Sequence, residues 1–174
     1  MTNLASPIPA DDPARSLAVA NPDIAKGRYV SVAGGTYTIL LSGEETGGRY
    51  CLIDMRVPDG GGPPPHRHDF EEMFTILEGT LEFSFRGDTQ TVNAGTTVNI
   101  PANAPHAFKN TSGKPARLLC MCTPPGQEEF FMKIGDRVDG PTTAVPSLSE
   151  EEKRLRSKLA GELAPQYRTE MIAK

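Results

Sequence analysis

The chain has little of several features that mark specialised classes of protein. Its 174 residues include three cysteines and no tryptophan, and three cysteines are too few for a scaffold held together by disulfides. Lys and Arg number 18 against 22 Asp and Glu, for a net charge of −4, which argues against the basic footprint of a nucleic-acid-binding protein. No apolar run reaches the length of a membrane-spanning helix.

The first residues also lack the features of a secretory signal. Asp11, Asp12 and several prolines stand where such a signal needs a basic start and then an apolar run. The odd, sparse cysteine set suits a reducing compartment. The sequence therefore predicts a cytoplasmic protein that binds neither nucleic acid nor membranes.

Glycine and proline, in contrast, are abundant, with 17 and 16 residues. Both residues break helices, so this composition favours short strands joined by turns over a helical bundle. Leu81, Phe83 and Phe85 alternate with polar residues, as in a strand with one buried face. Strands are predicted at 36–41, 49–57, 73–77, 81–85, 91–92, 97–100, 107–108 and 117–122. The pattern predicts an all-β fold, an antiparallel sandwich or small barrel.

Changes in texture divide the chain into three predicted parts. Residues 1–28 are rich in proline without an apolar period and are predicted to form an N-terminal arm. Residues 29–140 are predicted to form the β domain, and residues 141–174 a linker and a C-terminal helix. Ser149 and Glu152 form the capping box that would begin this helix.

The predicted helix carries a stripe of leucines at every fourth position, namely Leu155, Leu159 and Leu163. A stripe of this kind needs something to cover it, and residues 1–28 could cross to a partner subunit. Both features predict a homodimer, with packing of the helix on its own barrel as the alternative.

All three histidines of the chain fit one pattern. His66 and His68 are two residues apart, so on a strand both imidazoles point to the same face. Glu72 lies at the start of the next predicted strand, and His106 begins another apolar run. Three imidazoles and one carboxylate are a plausible ligand set for one divalent transition metal ion, whether Fe, Mn, Ni, Co, Cu or Zn.

Several neighbours of these residues have a structural interpretation. Glu71 is predicted to be solvated on the face opposite Glu72. Cys120 and Cys122 share a strand face and are predicted to pack inside the barrel, with soft metal ligation as the alternative. The core and pocket wall are predicted to include Phe74, Ile76, Phe83, Phe85, Val98, Ile100 and Phe108. So apolar a wall favours an aromatic or otherwise lipophilic small-molecule substrate.

The spacing of these residues resembles two motifs of the cupin superfamily. The first motif is matched by Gly60, His66, His68, Glu72 and Gly79, and the second by Gly95, Pro101, Asn103, His106 and Asn110. Asn103 stands where the family prefers glycine, and asparagine also tolerates a left-handed turn. The resemblance covers about residues 29–135 and includes a short interval of 15 residues between the motifs.

The resemblance implies an antiparallel jelly-roll barrel, also called a double-stranded β-helix, with a metal ion held by His66, His68, Glu72 and His106. In size and motifs the chain looks like the quercetin-dioxygenase-like cupins. That likeness implies a dioxygenase that binds an enolic or phenolic substrate and O2, with Glu72 as both metal ligand and general base.

Two other classes of function stay open. One is a non-oxidative metal-dependent lyase, isomerase, cyclase or decarboxylase on a small oxygenated substrate. It would need a further base, for which Tyr50, Asp54 and Glu128 are candidates. The other is a cupin that binds a ligand without turnover, because this fold hosts many functions.

Overall fold

The strands form two antiparallel sheets, and along several of them buried and exposed side chains alternate. The computed structural model describes residues 8–25 and 27–172. The strands are β1 (Tyr29–Val32), β2 (Gly35–Leu41), β3 (Cys51–Val57), β4 (His66–His68), β5 (Glu71–Glu78), β6 (Thr80–Phe85), β7 (Asp88–Asn93), β8 (Thr97–Ile100), β9 (His106–Lys109), β10 (Ala116–Thr123), β11 (Asp136–Arg137) and β12 (Thr169–Met171). The helices are α1 (Gly43–Thr46), α2 (Gln127–Ile134) and α3 (Glu150–Leu163), and a 3₁₀ turn follows at Ala164–Tyr167.

The larger sheet has the order β11-β1-β2-β3-β10-β5-β8, and the smaller has the order β12-β4-β9-β6-β7. Strands far apart in sequence are therefore neighbours: β10 lies between β3 and β5, and β9 lies between β4 and β6. This winding is that of a jelly-roll barrel, and the predicted all-β fold is confirmed. Every pairing between these strands is antiparallel.

The core lies between the two sheets and is built from alternate residues of the strands. Ile53, Ile76 and Leu118 have no exposed surface, and Phe74 is 2% exposed. Burial of each such side chain stabilises the fold by about 1.5–3 kcal/mol before entropic costs. Ile53 and Met55 on β3 point into this core. Asp54 lies between them on the strand, so its side chain points to the other face of the sheet.

Several elements of the structure were not predicted, among them β1, the short helix α1, α2, β11 and β12. Helix α2 follows Pro124, Pro125 and Gly126, and this cluster of breakers before an apolar stretch is a start signal that could have revealed it. The two-residue strand β11 pairs with β1. Strand β12 pairs with β4, which carries two of the histidines, and puts Thr169 opposite His68 and Met171 opposite His66. The division of the chain at residues 28 and 140 stays a prediction.

The predicted C-terminal helix is present as α3, and its capping box is formed. The Ser149 hydroxyl accepts a hydrogen bond from the Glu152 backbone N–H at 3.3 Å. Leu155 is 50% exposed, so the described structure leaves the leucine stripe partly uncovered. The described N-terminal residues 8–25 contain no helix or strand. The homodimer inferred from these two features stays a prediction.

None of the described helices is both long enough and apolar enough to pass through a bilayer.

Candidate metal centre and adjoining cavity

Both sheets contribute to the site. Strand β4 carries His66 and His68, its neighbour β9 begins with His106, and Glu72 is the second residue of β5 in the facing sheet. All four residues are buried, between 2% and 7% exposed. Their ligand atoms lie within 4.8 Å of one another, close to the upper limit of about 4 Å for two atoms that are each about 2 Å from one ion. The structure thus brings the four predicted ligands together, and metal ligation itself stays a prediction.

The ring nitrogens that face away from the centre are all held by backbone carbonyl groups. Nδ1 of His66, His68 and His106 lies 2.9 Å from the carbonyl oxygens of Pro64, Phe70 and Ala104, respectively. A carbonyl oxygen only accepts, so each Nδ1 carries a proton. In the neutral imidazole the Nε2 atom then has a free lone pair, the form in which histidine binds a metal ion.

The Nε2 lone pairs meet a carboxylate oxygen. Oε2 of Glu72 lies 3.0 Å from Nε2 of His68 and 3.1 Å from Nε2 of His106. With neutral rings these contacts would join acceptors to an acceptor, so a positive charge must lie between them, either a proton on an imidazole or a metal ion. The donor set therefore fits a divalent transition metal ion.

The pKa shifts reflect this closely coupled group. Burial, together with the positive charge of His106, lowers the pKa of His66 to about 4. Burial works to raise the pKa of Glu72, but hydrogen bonds from His106 and His68 outweigh it and hold that pKa well below its usual range. Burial also works to lower the pKa of His106, yet the hydrogen bond to Glu72 raises it overall. In the metal-free site, the raised pKa of His106 favours the protonated form of this ring.

Two thiols contact the other oxygen of the same carboxylate. The Cys120 Sγ–H donates to Oε1 of Glu72 at 3.3 Å, and Cys122 Sγ lies 3.7 Å from the same oxygen. Burial raises the pKa of Cys120, so its thiol stays protonated and donates. The two oxygens of Glu72 are thereby divided between the thiols and the histidines. The predicted interior packing of both cysteines agrees with their complete burial.

Asn103, the one departure from the family pattern, adopts a left-handed conformation with φ of 68°. Its backbone N–H donates to the His68 carbonyl oxygen at 2.6 Å. This hydrogen bond joins the turn before His106 to the strand that carries the other two histidines. Asparagine therefore makes the turn that the motif requires.

Comparisons with known proteins agree with this geometry. The cupin domain family model matches residues 53–122. An uncharacterized protein of Methanocaldococcus jannaschii is 32% identical over 84 residues, which are 48% of this chain and 67% of that protein. The chain belongs to the cupin superfamily.

Two further proteins are similar to part of this cupin. Quercetin 2,3-dioxygenase of Bacillus subtilis is 27% identical over 118 residues, 66% of this chain. The match covers only 35% of the Bacillus enzyme. The crystal structure of a predicted oxalate decarboxylase from Thermotoga maritima aligns with a TM-score of 0.56 and 22% identity, over 61% of this chain and 98% of that one. This last likeness shows the shared fold alone.

A cavity of about 420 Å³ adjoins the candidate metal centre of this cupin. Its volume lies in the range of small-molecule sites. His66 and Glu72 line the cavity, and most of the remaining wall is apolar. The barrel contributes Tyr37, Met55, Phe74 and Phe108, helix α2 contributes Gln127, Phe130, Phe131 and Ile134, and the C-terminal segment contributes Val145, Pro146, Leu148, Ala160, Gly161, Met171 and Ile172.

The three candidate bases from the sequence do not belong to this cavity. Asp54 points away from it and pairs with Arg117, whose Nη2 lies 2.8 Å from Oδ2. Glu128 accepts hydrogen bonds from the backbone N–H groups of Gly43 and Gly126, both at 2.8 Å. Neither residue, nor Tyr50, is among the described residues that line the cavity. None of the three candidates is therefore placed to act as a base in this cavity, because strand alternation turns Asp54 away and Glu128 bonds backbone N–H groups instead.

Glu71 points away from Glu72, as predicted. Its carboxylate accepts hydrogen bonds from the Asn99 side-chain amide at 2.9 Å and from the Ala102 backbone N–H at 3.1 Å. Tyr37 and Gln127, which were not among the predicted site residues, also line the cavity. Burial raises the pKa of Tyr37. No motif marks either residue, and only the fold places them there.

Proposed function

We propose that this cupin is a metal-dependent enzyme, a dioxygenase of the quercetin-dioxygenase-like type that acts on an enolic or phenolic substrate. The observation that carries the proposal is the set of three imidazoles, each with Nδ1 bound to a carbonyl oxygen and Nε2 free, grouped around Glu72 beside an apolar cavity. The name of the Bacillus relative supports the oxidative reading, although the match covers only 35% of that enzyme.

His66, His68, Glu72 and His106 would hold the metal ion. When bound, a divalent transition metal would polarise an enolate or phenolate oxygen and, if redox-active, exchange electrons with O2. The Nδ1 hydrogen bonds to the backbone orient each ring before anything binds, which reduces the cost of assembling the centre.

Glu72 is also the group placed to remove the substrate hydroxyl proton. It is the carboxylate among the described residues that both lines the cavity and contacts the histidines. Its pKa is held low, so at neutral pH the carboxylate is in the ionised form that a general base requires. The apolar wall excludes water around the reacting oxygen, which strengthens electrostatic interactions there.

The class of non-oxidative lyases, isomerases and decarboxylases is the second reading. It loses support because Tyr50, Asp54 and Glu128, the bases proposed for it, lie outside the cavity lining. Oxygen consumption separates the two readings directly.

The test is elemental analysis of the purified protein, followed by oxygen uptake on a panel of flavonols and small enols. His106→Ala removes a proposed ligand, and Arg67→Ala is the matched control, because Arg67 lies between two of the histidines on β4 but is exposed. We expect near-stoichiometric metal and substrate-dependent oxygen uptake in the parent and in Arg67→Ala, with both lost in His106→Ala. Bound metal without oxygen uptake would favour the non-oxidative reading, and absence of metal after reconstitution would refute the centre.

A further inference from the structure

Most charged and amide side chains along the described cavity lining have a hydrogen-bond or ion-pair partner within the protein, but one does not. Arg156 and Asp136 form an ion pair with each other. His66 is held by the Pro64 carbonyl oxygen, and Glu72 contacts two histidines and two thiols. Among the charged and amide side chains of the described lining, Gln127 alone has an atom that is buried and without a hydrogen-bond partner.

Gln127 is the first residue of α2 and is 3% exposed. Its side-chain oxygen Oε1 is buried and makes no hydrogen bond within the described structure. A buried acceptor without a partner destabilises the fold, and an apolar side chain of similar size would avoid that cost. The stability of the barrel therefore does not explain a glutamine at this position.

The surroundings of Gln127 are those of a ligand site. The same helix contributes Phe130 and Phe131 to the cavity wall, and Phe131 packs edge-on against Tyr37 with the ring centroids 5.3 Å apart. A carboxamide can turn about its terminal bond, so Gln127 can present the oxygen to a molecule in the cavity. Within an apolar wall, one such group fixes the orientation of a ligand.

We propose that Gln127 is a specificity-determining residue, which accepts a hydrogen bond from a second hydroxyl of an aromatic enol or phenol bound in the cavity. The first oxygen of that ligand would lie at the His and Glu cluster, and the second hydroxyl would meet the unpartnered carboxamide. This inference rests on the proposed function, since it assumes that the cavity receives the substrate.

The test compares two probes on the metal-loaded protein. One is 3-hydroxyflavone, whose single hydroxyl is the enolic one, and the other is a flavonol with additional ring hydroxyls. Dissociation constants are measured for the parent, for Gln127→Leu and for Glu129→Gln, a control at an exposed position of the same helix. We expect Gln127→Leu to weaken binding of the polyhydroxylated probe by about tenfold or more, with little change for 3-hydroxyflavone.

A structural role for Gln127 makes a different prediction. The melting temperature of ligand-free Gln127→Leu should equal or exceed that of the parent, because the buried unpartnered oxygen is gone. A lower melting temperature with equal losses for both probes would overturn the inference and leave the metal centre standing. Failure of both probes to bind a metal-loaded parent would also overturn it. Absence of metal from the parent would instead refute the proposed function, and the metal analysis reports that outcome separately.

Discussion

The metal end of the cavity and its outer wall are built differently. At the metal end, buried polar atoms have partners: the three Nδ1 atoms face backbone carbonyl oxygens, and Glu72 divides its oxygens between histidines and thiols. The outer wall combines α2 with the segment 145–172, is mostly apolar, and lies beyond the region 53–122 that the family model matches.

This difference separates two tasks. A preorganised polar cluster confers chemistry, and it depends on a few residues in fixed positions. A largely apolar wall selects the ligand by shape and by very few polar contacts, so many sequences can build one. We therefore expect substitutions at the metal end to change metal binding and substitutions in the wall to leave it intact.

The largest expected effect separates Glu72 from its neighbour. Partners that only orient metal ligands already contribute about 10–100-fold to affinity, so Glu72→Gln should weaken metal binding by at least about 100-fold. Glu71→Gln should leave metal binding unchanged, because Glu71 bonds Asn99 and Ala102 on the other face. Competition with a chelator measures both affinities. Equal behaviour of the two variants would contradict the proposed centre.

The next effect is the pH dependence of metal binding. The raised pKa of His106 means that a proton competes with the metal for this ring. Below that pKa the affinity should fall by about tenfold per pH unit for one displaced proton. Titrations between pH 8 and pH 5 measure the slope, and a flat profile would exclude His106 as a ligand.

In the metal-free protein, the ion pair between His106 and Glu72 should make the free energy of unfolding depend on pH. Its contribution is fully present below the ordinary histidine pKa of 6.5 and above the ordinary glutamate pKa of 4.5. It is lost as the pH rises through the raised pKa of His106 or falls through the lowered pKa of Glu72. His66 has the opposite effect on stability, because its pKa is lowered to about 4 in the folded protein. As the pH falls below 6.5 the unfolded chain binds a proton at His66 before the folded protein does, and the free energy of unfolding decreases.

A smaller effect concerns the thiol behind Glu72. Cys120→Ala removes the donor 3.3 Å from Oε1 and should weaken metal binding by about tenfold, as expected for a group that orients a ligand. Cys120→Ser keeps a donor and should recover part of the loss. The absorption spectrum of the protein loaded with Co(II) provides a spectroscopic check. A thiolate-to-metal charge-transfer band would show that a cysteine binds the metal directly and does not merely orient Glu72.

The smallest effect belongs to the outer wall. A Cβ added at Gly161 in α3 meets nothing within 4 Å, so Gly161→Ala should stabilise the fold by up to about 1 kcal/mol through helix propensity, without changing metal binding. Gly135→Ala should instead destabilise the fold, because its Cβ would lie 2.7 Å from the Ser31 carbonyl oxygen. Urea unfolding curves compare the two, and a loss of stability in Gly161→Ala would show that this wall is packed more tightly than described.

Much of the metal end could be predicted from local sequence. The two-residue spacing of His66 and His68 places both rings on one face of any strand, and Glu72 and Glu71 diverge for the same reason. The capping box at Ser149 likewise depends on neighbours in sequence, and the structure confirms it. Strand alternation and helix capping are short-range, so they survive in almost any tertiary context.

Tertiary structure alone decided the rest. Nothing near Thr169 predicts that it pairs opposite His68, and nothing near Gln127 predicts a place in the cavity. Asp54 had the chemistry of a base but lies on the face that pairs with Arg117. The sequence by itself determined which side chains can form the centre, because the chain has three histidines and two of them lie within six residues of Glu72. Only the fold brings His106, 34 residues beyond Glu72, to the same point. The wall around it depends on contacts between residues far apart in the sequence, such as Tyr37 with Phe131, which only the folded chain decides.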